Sequence, residues 1–425
     1  MTLSNNECIG YLEILRRELV PALGCTEPIC LAYAAAKAKD ILGGIPTSIE
    51  VACNGNIIKN VKSVIVPNSG GLKGIQAAIA IGTAGGHPEK GLEVLTDITD
   101  EDIVYASTLL ATIPITVSVL NTAAKLHVKV IAKNDRDTAF VEIIHQHTHI
   151  VLMKRNNVVL FEIPFSEHPG TENTPFGNPL SVRSIVQFAE SIDIEKLSPI
   201  IEPQIFFNNA ISMEGLKNNW GVSIGKNLLE FYGQSINVRA KAVAAAGSDA
   251  RMSGCPFPVV INSGSGNQGL TVSLPVMEYA KELKVGNEKL IRALAISNLI
   301  AIHQKSFIGR LSAYCGAVTA ASGAGAAITW LFGGTLEQIE ETITNTLANI
   351  SGMLCDGAKP SCAAKIASAI DAALLGHNLA MKKEYFANGD GIVKNTIEET
   401  ISGIGKIASQ GMVDTDREIL SLMIG

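Results

Sequence analysis

Leu311–Phe332 reads Leu-Ser-Ala-Tyr-Cys-Gly-Ala-Val-Thr-Ala-Ala-Ser-Gly-Ala-Gly-Ala-Ala-Ile-Thr-Trp-Leu-Phe and carries no charged side chain. The stretch is long enough to span a bilayer. Its residues, however, are mostly Ala, Gly, Ser and Thr, with too few large apolar groups for a lipid-facing helix. It reads as a buried helix, because small side chains let neighbouring helices approach closely, as a helical core around a cofactor requires. A second uncharged stretch, Tyr105–Ala124, contains Pro114 and several threonines and takes the same reading.

Working outward, the chain is helical and Ala-rich from about residue 183 to its end. Residues 166–182 are rich in Pro, Gly, Asn and Thr and read as a loop or linker. Upstream, residues 6–42 read as two helices. Leu12, Leu15 and Leu19 recur at helical spacing, Pro21 and Gly24 break the pattern, and a second helix starts near Thr26, with Pro28 in its first turn. Residues 47–66 predict two short strands around the turn Asn54-Gly55-Asn56. A further turn at Pro67-Asn68-Ser69-Gly70-Gly71 leads into an Ala-rich helix. Residues 125–163 alternate in a β pattern, with a hairpin turn near Asn156-Asn157. The expected fold class is therefore α+β. Residues 1–182 form an N-terminal α+β region, and residues 183–425 a largely helical domain. No repeat of fixed period is present.

The composition narrows the function classes. Of 425 residues, 47% are hydrophobic and 17% charged, which specifies a compact globular protein. A net charge of -6 with no basic run gives no footprint for nucleic acid. No cationic segment followed by an apolar one opens the chain, so a cytoplasmic protein without a membrane partner is expected. The cysteines then read as reduced thiols or metal ligands. The small residues of the helical domain also fit a buried partner surface, and a homodimer is the expectation.

Three cysteines stand out. Cys315 lies in Ser-Ala-Tyr-Cys-Gly, and Cys355 and Cys362 bracket Asp-Gly-Ala-Lys-Pro-Ser. Three thiolates can hold three corners of an iron–sulfur cubane and leave one iron open as a Lewis acid. The alternative is three core thiols, since free cysteine is among the most buried residue types. A four-cysteine zinc site is disfavoured, because no Cys-x2-Cys knuckle is present. The turn-rich loop between Cys355 and Cys362 suits a ligand loop. Cys25, in Leu-Gly-Cys-Thr-Glu-Pro, falls at a helix N-terminus. The dipole there favours a thiolate, and an inert buried thiol is the other reading.

Other groupings are weaker. His145, His147 and His149 alternate and read as an exposed polar strand face, since three such positions on one strand do not surround a single ion. Gly264, Gly266 and Gly269 match G-x-G-x-x-G, but no βαβ unit follows, so a dinucleotide site is rejected. That loop still sets Asn262, Ser263, Ser265, Asn267 and Gln268 beside flexible glycines. It suits a cradle for carboxylate or phosphate, with a plain turn as the alternative. Lys305 and Arg310 precede Cys315. Either can hold a carboxylate or lie on a solvated helix face.

Taken together, Gly-Cys-Thr-Glu-Pro, Asn-Ser-Gly-Ser-Gly-Asn-Gln-Gly, Lys-Ser-Phe-Ile-Gly-Arg-Leu-Ser-Ala-Tyr-Cys-Gly and Met-Leu-Cys-Asp-Gly-Ala-Lys-Pro-Ser-Cys resemble the L-cysteine desulfidase family over nearly the whole chain. The C-terminal half is more distantly similar to the catalytic domain of iron–sulfur L-serine dehydratases. The resemblance implies a [4Fe–4S] enzyme without pyridoxal phosphate that converts the small amino acid L-cysteine, with water, to pyruvate, ammonia and sulfide. It places the cluster ligands at Cys315, Cys355 and Cys362 and a proton-transfer base at Cys25. It places the substrate loop at Asn262, Ser263, Gly264, Ser265, Gly266, Asn267 and Gln268, with Lys305 fixing the carboxylate. Pro67–Gly71 matches in outline and differs in detail. A serine or threonine deaminase and a non-catalytic iron–sulfur sensor are the alternatives.

Overall fold

The computed structural model describes residues 3–167 and 180–424. Its N-terminal part runs α1 (Asn5–Glu18), β1 (Pro21–Leu23), α2 (Thr26–Leu42), β2 (Ser48–Cys53), α3 (Gly55–Val61), α4 (Ile75–Gly85), α5 (Asp100–Thr112), β3 (Ile115–Val119), β4 (His127–Lys133), β5 (Thr138–Ile144), β6 (Ile150–Arg155) and β7 (Val158–Glu162). The rest is α6 (Val182–Ser191), α7 (Ile194–Lys217), α8 (Ile224–Tyr232), α9 (Ile236–Met252), β8 (Pro258–Val260), α10 (Gly266–Glu282), α11 (Asn287–Ile308), α12 (Gly316–Leu331), α13 (Leu336–Ile350), α14 (Cys362–Met381), α15 (Ile397–Lys406) and α16 (Val413–Ile424). The architecture is mixed, as expected, with a sheet region first and a helical part after it. Most of the predicted 166–182 linker, residues 168–179, lies outside the described residues.

Six strands form one sheet in the order β3-β2-β4-β5-β6-β7, with β2 and β3 parallel and the other neighbours antiparallel. Helix α2 packs across this sheet. Its alanines and Ile29 and Leu31 share a core with Val128, Val130, Val141 and Ile143. A second core joins the C-terminal helices and also takes in Leu12 and Leu15 of α1 and Leu19 just beyond it, so the first helix packs with the C-terminal helices. The Leu331 end of α12 marks the close of the long uncharged stretch, and its glycines do what small residues are for. A Cβ on Gly323 would lie 2.4 Å from the Ser297 carbonyl oxygen of α11. No helix among the described residues is long and apolar enough to cross a membrane.

Two short strands decide where the site forms. β1 and β8 pair antiparallel, Pro21 opposite Val260 and Leu23 opposite Pro258, and the Ile261 N–H donates to the Val20 carbonyl. This strap ties residue 25 to the loop at 262–265 across more than half the chain.

Three expectations need correction. Residues 47–66 hold one strand and one helix, not two strands. Asn54 does not turn a hairpin; its side chain bonds the Ala124 and Lys125 carbonyls and the His127 N–H, while Ile57 and Val61, four apart, bury on a helical face. Tyr105–Ala124 is not one buried helix. Helix α5 buries only Ala106 and Leu109, ends before Pro114, and gives way to the β-branched strand β3. His145, His147 and His149 are not on a strand face either. They form the turn between β5 and β6, with His145 left-handed at φ 66° and His147 buried. The Asn156-Asn157 hairpin is as expected, with Asn156 at φ 52°.

One buried histidine outside the site predicts a pH dependence. His377 in α14 is 3% exposed and shares a hydrogen bond with the Thr329 hydroxyl at 2.9 Å. Burial pushes its pKa from 6.5 down to about 4. The unfolded chain therefore binds the extra proton, and stability falls as pH drops through that window, by about 3 kcal/mol when complete. Urea unfolding of His377→Gln against the parent should show this acid loss flattened. An equal pH slope in both proteins refutes it.

Candidate active site

A cleft with about 100 Å³ of free interior volume lies where α2, α3, α9, the 262–265 loop, α11 and the 355–362 segment meet. Cys315, Cys355 and Cys362 line it together with Cys25 and Lys305.

The three cysteines converge for reasons of backbone. Tyr314 and Leu354 form an antiparallel bridge, the Cys315 N–H donates to Met353 O at 3.0 Å, and the Cys355 N–H donates to Ala313 O at 2.6 Å. These bonds lay Cys315 and Cys355 side by side. Cys315 caps the N-terminus of α12 and Cys362 is the first residue of α14, so two helix N-termini face the same space. The connecting loop is fastened on both sides. Asp356 pairs with Lys359 and Lys365, while the buried Lys59 of α3 donates to Cys355 O at 3.2 Å and pairs with Asp416 at 2.6 Å. Gly357, at φ 95°, lets this loop lie against α3, where a Cβ would come within 2.3 Å of Lys59 O.

Among the described residues no three His, Cys, Asp or Glu side chains close on a point that one metal ion would occupy. A cubane instead spreads its ligands over a cluster several ångström wide, and three half-buried free thiols on one cleft wall suit that. Burial, then the neighbouring Cys355, pushes the Cys315 thiol up to about 12; burial also raises Cys362, with Cys355 adding to the rise. Thiols held so close resist ionising together unless a cation group lies between them. The residues fit an iron–sulfur cluster.

Cys25 stands at the N-cap of α2, as the sequence predicts, and of the two readings open for it its surroundings favour the buried thiol over the thiolate. Burial and then the Glu27 charge raise its pKa well above the usual value, and the helix end does not offset them. The thiol donates to Glu27 Oε2 at 3.0 Å. Glu27 Oε1 accepts from Asn60 Nδ2 at 2.9 Å and lies 3.9 Å from His147 Nε2, too far for a hydrogen bond. Burial opposes the Glu27 charge, but the His147 ring and the Cys25 thiol outweigh it and hold the carboxyl down at about 2.

The glycine loop joins this group through Thr26, whose hydroxyl donates to Gly264 O at 2.8 Å. Gly264, Ser265, Asn267 and Gln268 line the cleft. Asn262 and Ser263 do not. Asn262 donates to Asn298 Oδ1 at 2.9 Å within a buried amide network that includes Gln204, and the Ser263 hydroxyl donates back to Asn262 Oδ1. Each glycine of the motif has its own task. Gly264 takes φ 82°, Gly266 leaves room beside Arg251, and Gly269 lets α10 press on β8, where a Cβ would come within 2.0 Å of Val260 O. Lys305 is buried, donates to Arg310 O at 3.3 Å, and is lowered to about 8 by burial against the support of Cys355 and Cys315. Arg310 is not on a solvated face; it pairs with Glu18 at 3.0 Å and lines the cleft.

Glu27, Asn60, Arg251 and Tyr314 also line or support the cleft without having been singled out from the sequence, and His147 is there against expectation. Cys30, Cys53 and Cys255 are inert core thiols, raised by burial.

Residues 89–421 match the serine dehydratase alpha chain family. The match begins between α4 and α5 and so takes in β3 to β7 as well as the helical half in which the likeness is read from motifs. The chain belongs to this family, which points to an iron–sulfur dehydratase-like lyase. Full-length relatives are alike throughout. A "UPF0597 protein" of Treponema denticola is 52% identical over all of both chains. One of Lachnoclostridium phytofermentans is 54% identical, covering 97% of this chain and 99% of its own. One of Finegoldia magna is 50% identical, over 98% and 99%.

Proposed function

We propose that the protein is an iron–sulfur-dependent carbon–sulfur lyase that eliminates the β-thiol of L-cysteine, yielding pyruvate, ammonia and hydrogen sulfide. The observation that carries this reading is the meeting, in one cleft, of three thiols suited to a cluster and a fourth thiol, Cys25, hydrogen-bonded to a carboxylate. Cys315, Cys355 and Cys362 would hold a [4Fe–4S] cluster, and its open iron supplies Lewis-acid chemistry to the departing heteroatom.

The chain's own residues do the rest. The 264–268 loop and cationic side chains, Lys305 among them, receive the polar end of the amino acid. Glu27 Oε2 accepts the Cys25 thiol hydrogen and aims the sulfur, while Asn60 fixes the carboxylate from its other oxygen. The Cys25 thiol proton passes to Glu27 Oε2 and the freed sulfur takes the Cα proton, while the carbon–sulfur bond breaks and its electron pair leaves on the substrate sulfur. The resulting aminoacrylate tautomerises to an imine, and water then releases ammonia and pyruvate. The high burial of Cys25 and Glu27 keeps bulk water from that proton.

L-Serine is the second reading, favoured by the family description. Sulfide and pyruvate assayed together after anaerobic reconstitution, with L-cysteine and L-serine in parallel, decide between them. Equal sulfide and pyruvate from L-cysteine, well above pyruvate from L-serine, is expected. Pyruvate from L-serine alone transfers the protein to the deaminases, and a stable cluster without product from either refutes the lyase reading.

A further inference from the structure

Arg251, at the C-terminal end of α9, is 2% exposed and lines the cleft, yet its Nε has no hydrogen-bond partner. Among the described residues no carboxylate forms an ion pair with it. A buried cation without a counter-charge is costly, so a position that keeps one is built for an anion that arrives. The fold makes space for it deliberately. A Cβ at Gly266 would lie 2.2 Å from Arg251 Nε and 2.6 Å from Cζ, so the loop must carry glycine there for the guanidinium to stand as it does.

Two buried acceptors are left open in the same cleft. Asn267 Oδ1 and Gln268 Oε1 have no hydrogen-bond donor, although both residues open helix α10 directly after Gly266. An unsatisfied cation and two unsatisfied amide oxygens in one enclosed space are the complement of a carboxylate next to an ammonium group.

Placement separates Arg251 from Lys305. Arg251 stands by Cys25, whose sulfur packs against the adjoining Met252, whereas Lys305 is tied to the Arg310 carbonyl on the approach to Cys315. An amino acid whose Cα faces Cys25 and whose β-substituent faces the three cysteines must set its carboxylate, bonded to Cα, on the Cys25 side. The cation there is Arg251.

We propose that Arg251 is the carboxylate anchor of the cleft, that the Asn267 and Gln268 amide oxygens receive the α-ammonium group, and that the site therefore selects free α-amino acids. This rests on the lyase reading for the orientation of the substrate. Its test needs no turnover.

L-Alanine has both groups and no leaving group, so its binding to the reconstituted protein can be measured by calorimetry without reaction. L-Alaninamide, which lacks the carboxylate, serves as the control. The parent protein should bind L-alanine and bind the amide at least about 30-fold more weakly, the loss that accompanies an unpaired buried charge. Arg251→Met should lose the same factor for L-alanine and no longer distinguish it from the amide, with iron per chain unchanged. Gly266→Ala, which keeps the arginine and displaces it, should reproduce the loss. Equal L-alanine affinity in parent and Arg251→Met overturns the assignment. Loss of iron in both variants assigns Arg251 to the cluster instead and also overturns it. If L-alanine binds as described while L-cysteine yields no sulfide, the lyase reading fails and the anchor stands.

Discussion

Cys25→Ser is expected to lower kcat about 10²- to 10⁴-fold, the range a positioned proton-transfer group contributes, while iron content and visible absorbance remain those of the parent. The geometry separates the two effects. Cys25 stands at the N-cap of α2 and spends its thiol hydrogen on Glu27 at 3.0 Å, whereas the three cysteines proposed to hold the cluster stand at the N-cap of α12, at the first residue of α14 and in the loop between α13 and α14. Serine keeps the hydrogen bond and nearly the volume, but its hydroxyl gives up its proton far less readily than a thiol and so is not freed to act as the base. Glu27→Gln acts on the same pair, so combining the two changes should cost little more than the worse single change. Turnover and iron measured on the same preparations check this. Unchanged kcat in Cys25→Ser removes the residue from the mechanism, and loss of iron would make it a fourth ligand.

Cys355→Ser should do the reverse and strip iron from the protein. The fall in affinity is expected to exceed the roughly 10- to 100-fold that follows when a ligand merely loses its hydrogen-bonding support. Turnover falls with it. The fold should survive, because Cys355 contributes its backbone to the pairing with Ala313 and its side chain only to the cleft. Circular dichroism and iron per chain, read after identical anaerobic reconstitution, separate ligand loss from unfolding. Parental iron content in this variant contradicts the assignment.

Much of this arrangement was legible in the sequence, and the rest had physical reasons to hide. The cysteine spacing, the turn-rich Asp356–Ser361 loop and the helix start beside Cys25 are local signals, and local backbone geometry follows them. The long uncharged stretch announced close helix packing, realised where Gly323 meets α11. What joins Cys25 to the glycine loop is the three-residue pairing of β1 with β8, and strands that short carry almost no periodic signal. Residues 47–66 misled because Asn-Gly is a strong hairpin marker, whereas here Asn54 is taken up by contacts with residues 124–127. His147 was hidden because a β5–β6 turn, not a strand, delivers it to Glu27. Arg251 is one charge in an Ala-rich helix and carries no motif of its own. Only the burial of its guanidinium against Gly266 reveals it, although its place just ahead of a glycine loop was a usable hint.

The most direct test of the central claim is the Mössbauer spectrum of protein reconstituted anaerobically with isotopically enriched iron, recorded before and after L-cysteine is added. A cleft with three thiolate ligands and an amino-acid site predicts a four-iron cluster in which one iron alone changes its signal on addition. A protein that takes up no cluster, or a cluster whose irons all ignore L-cysteine, would contradict it.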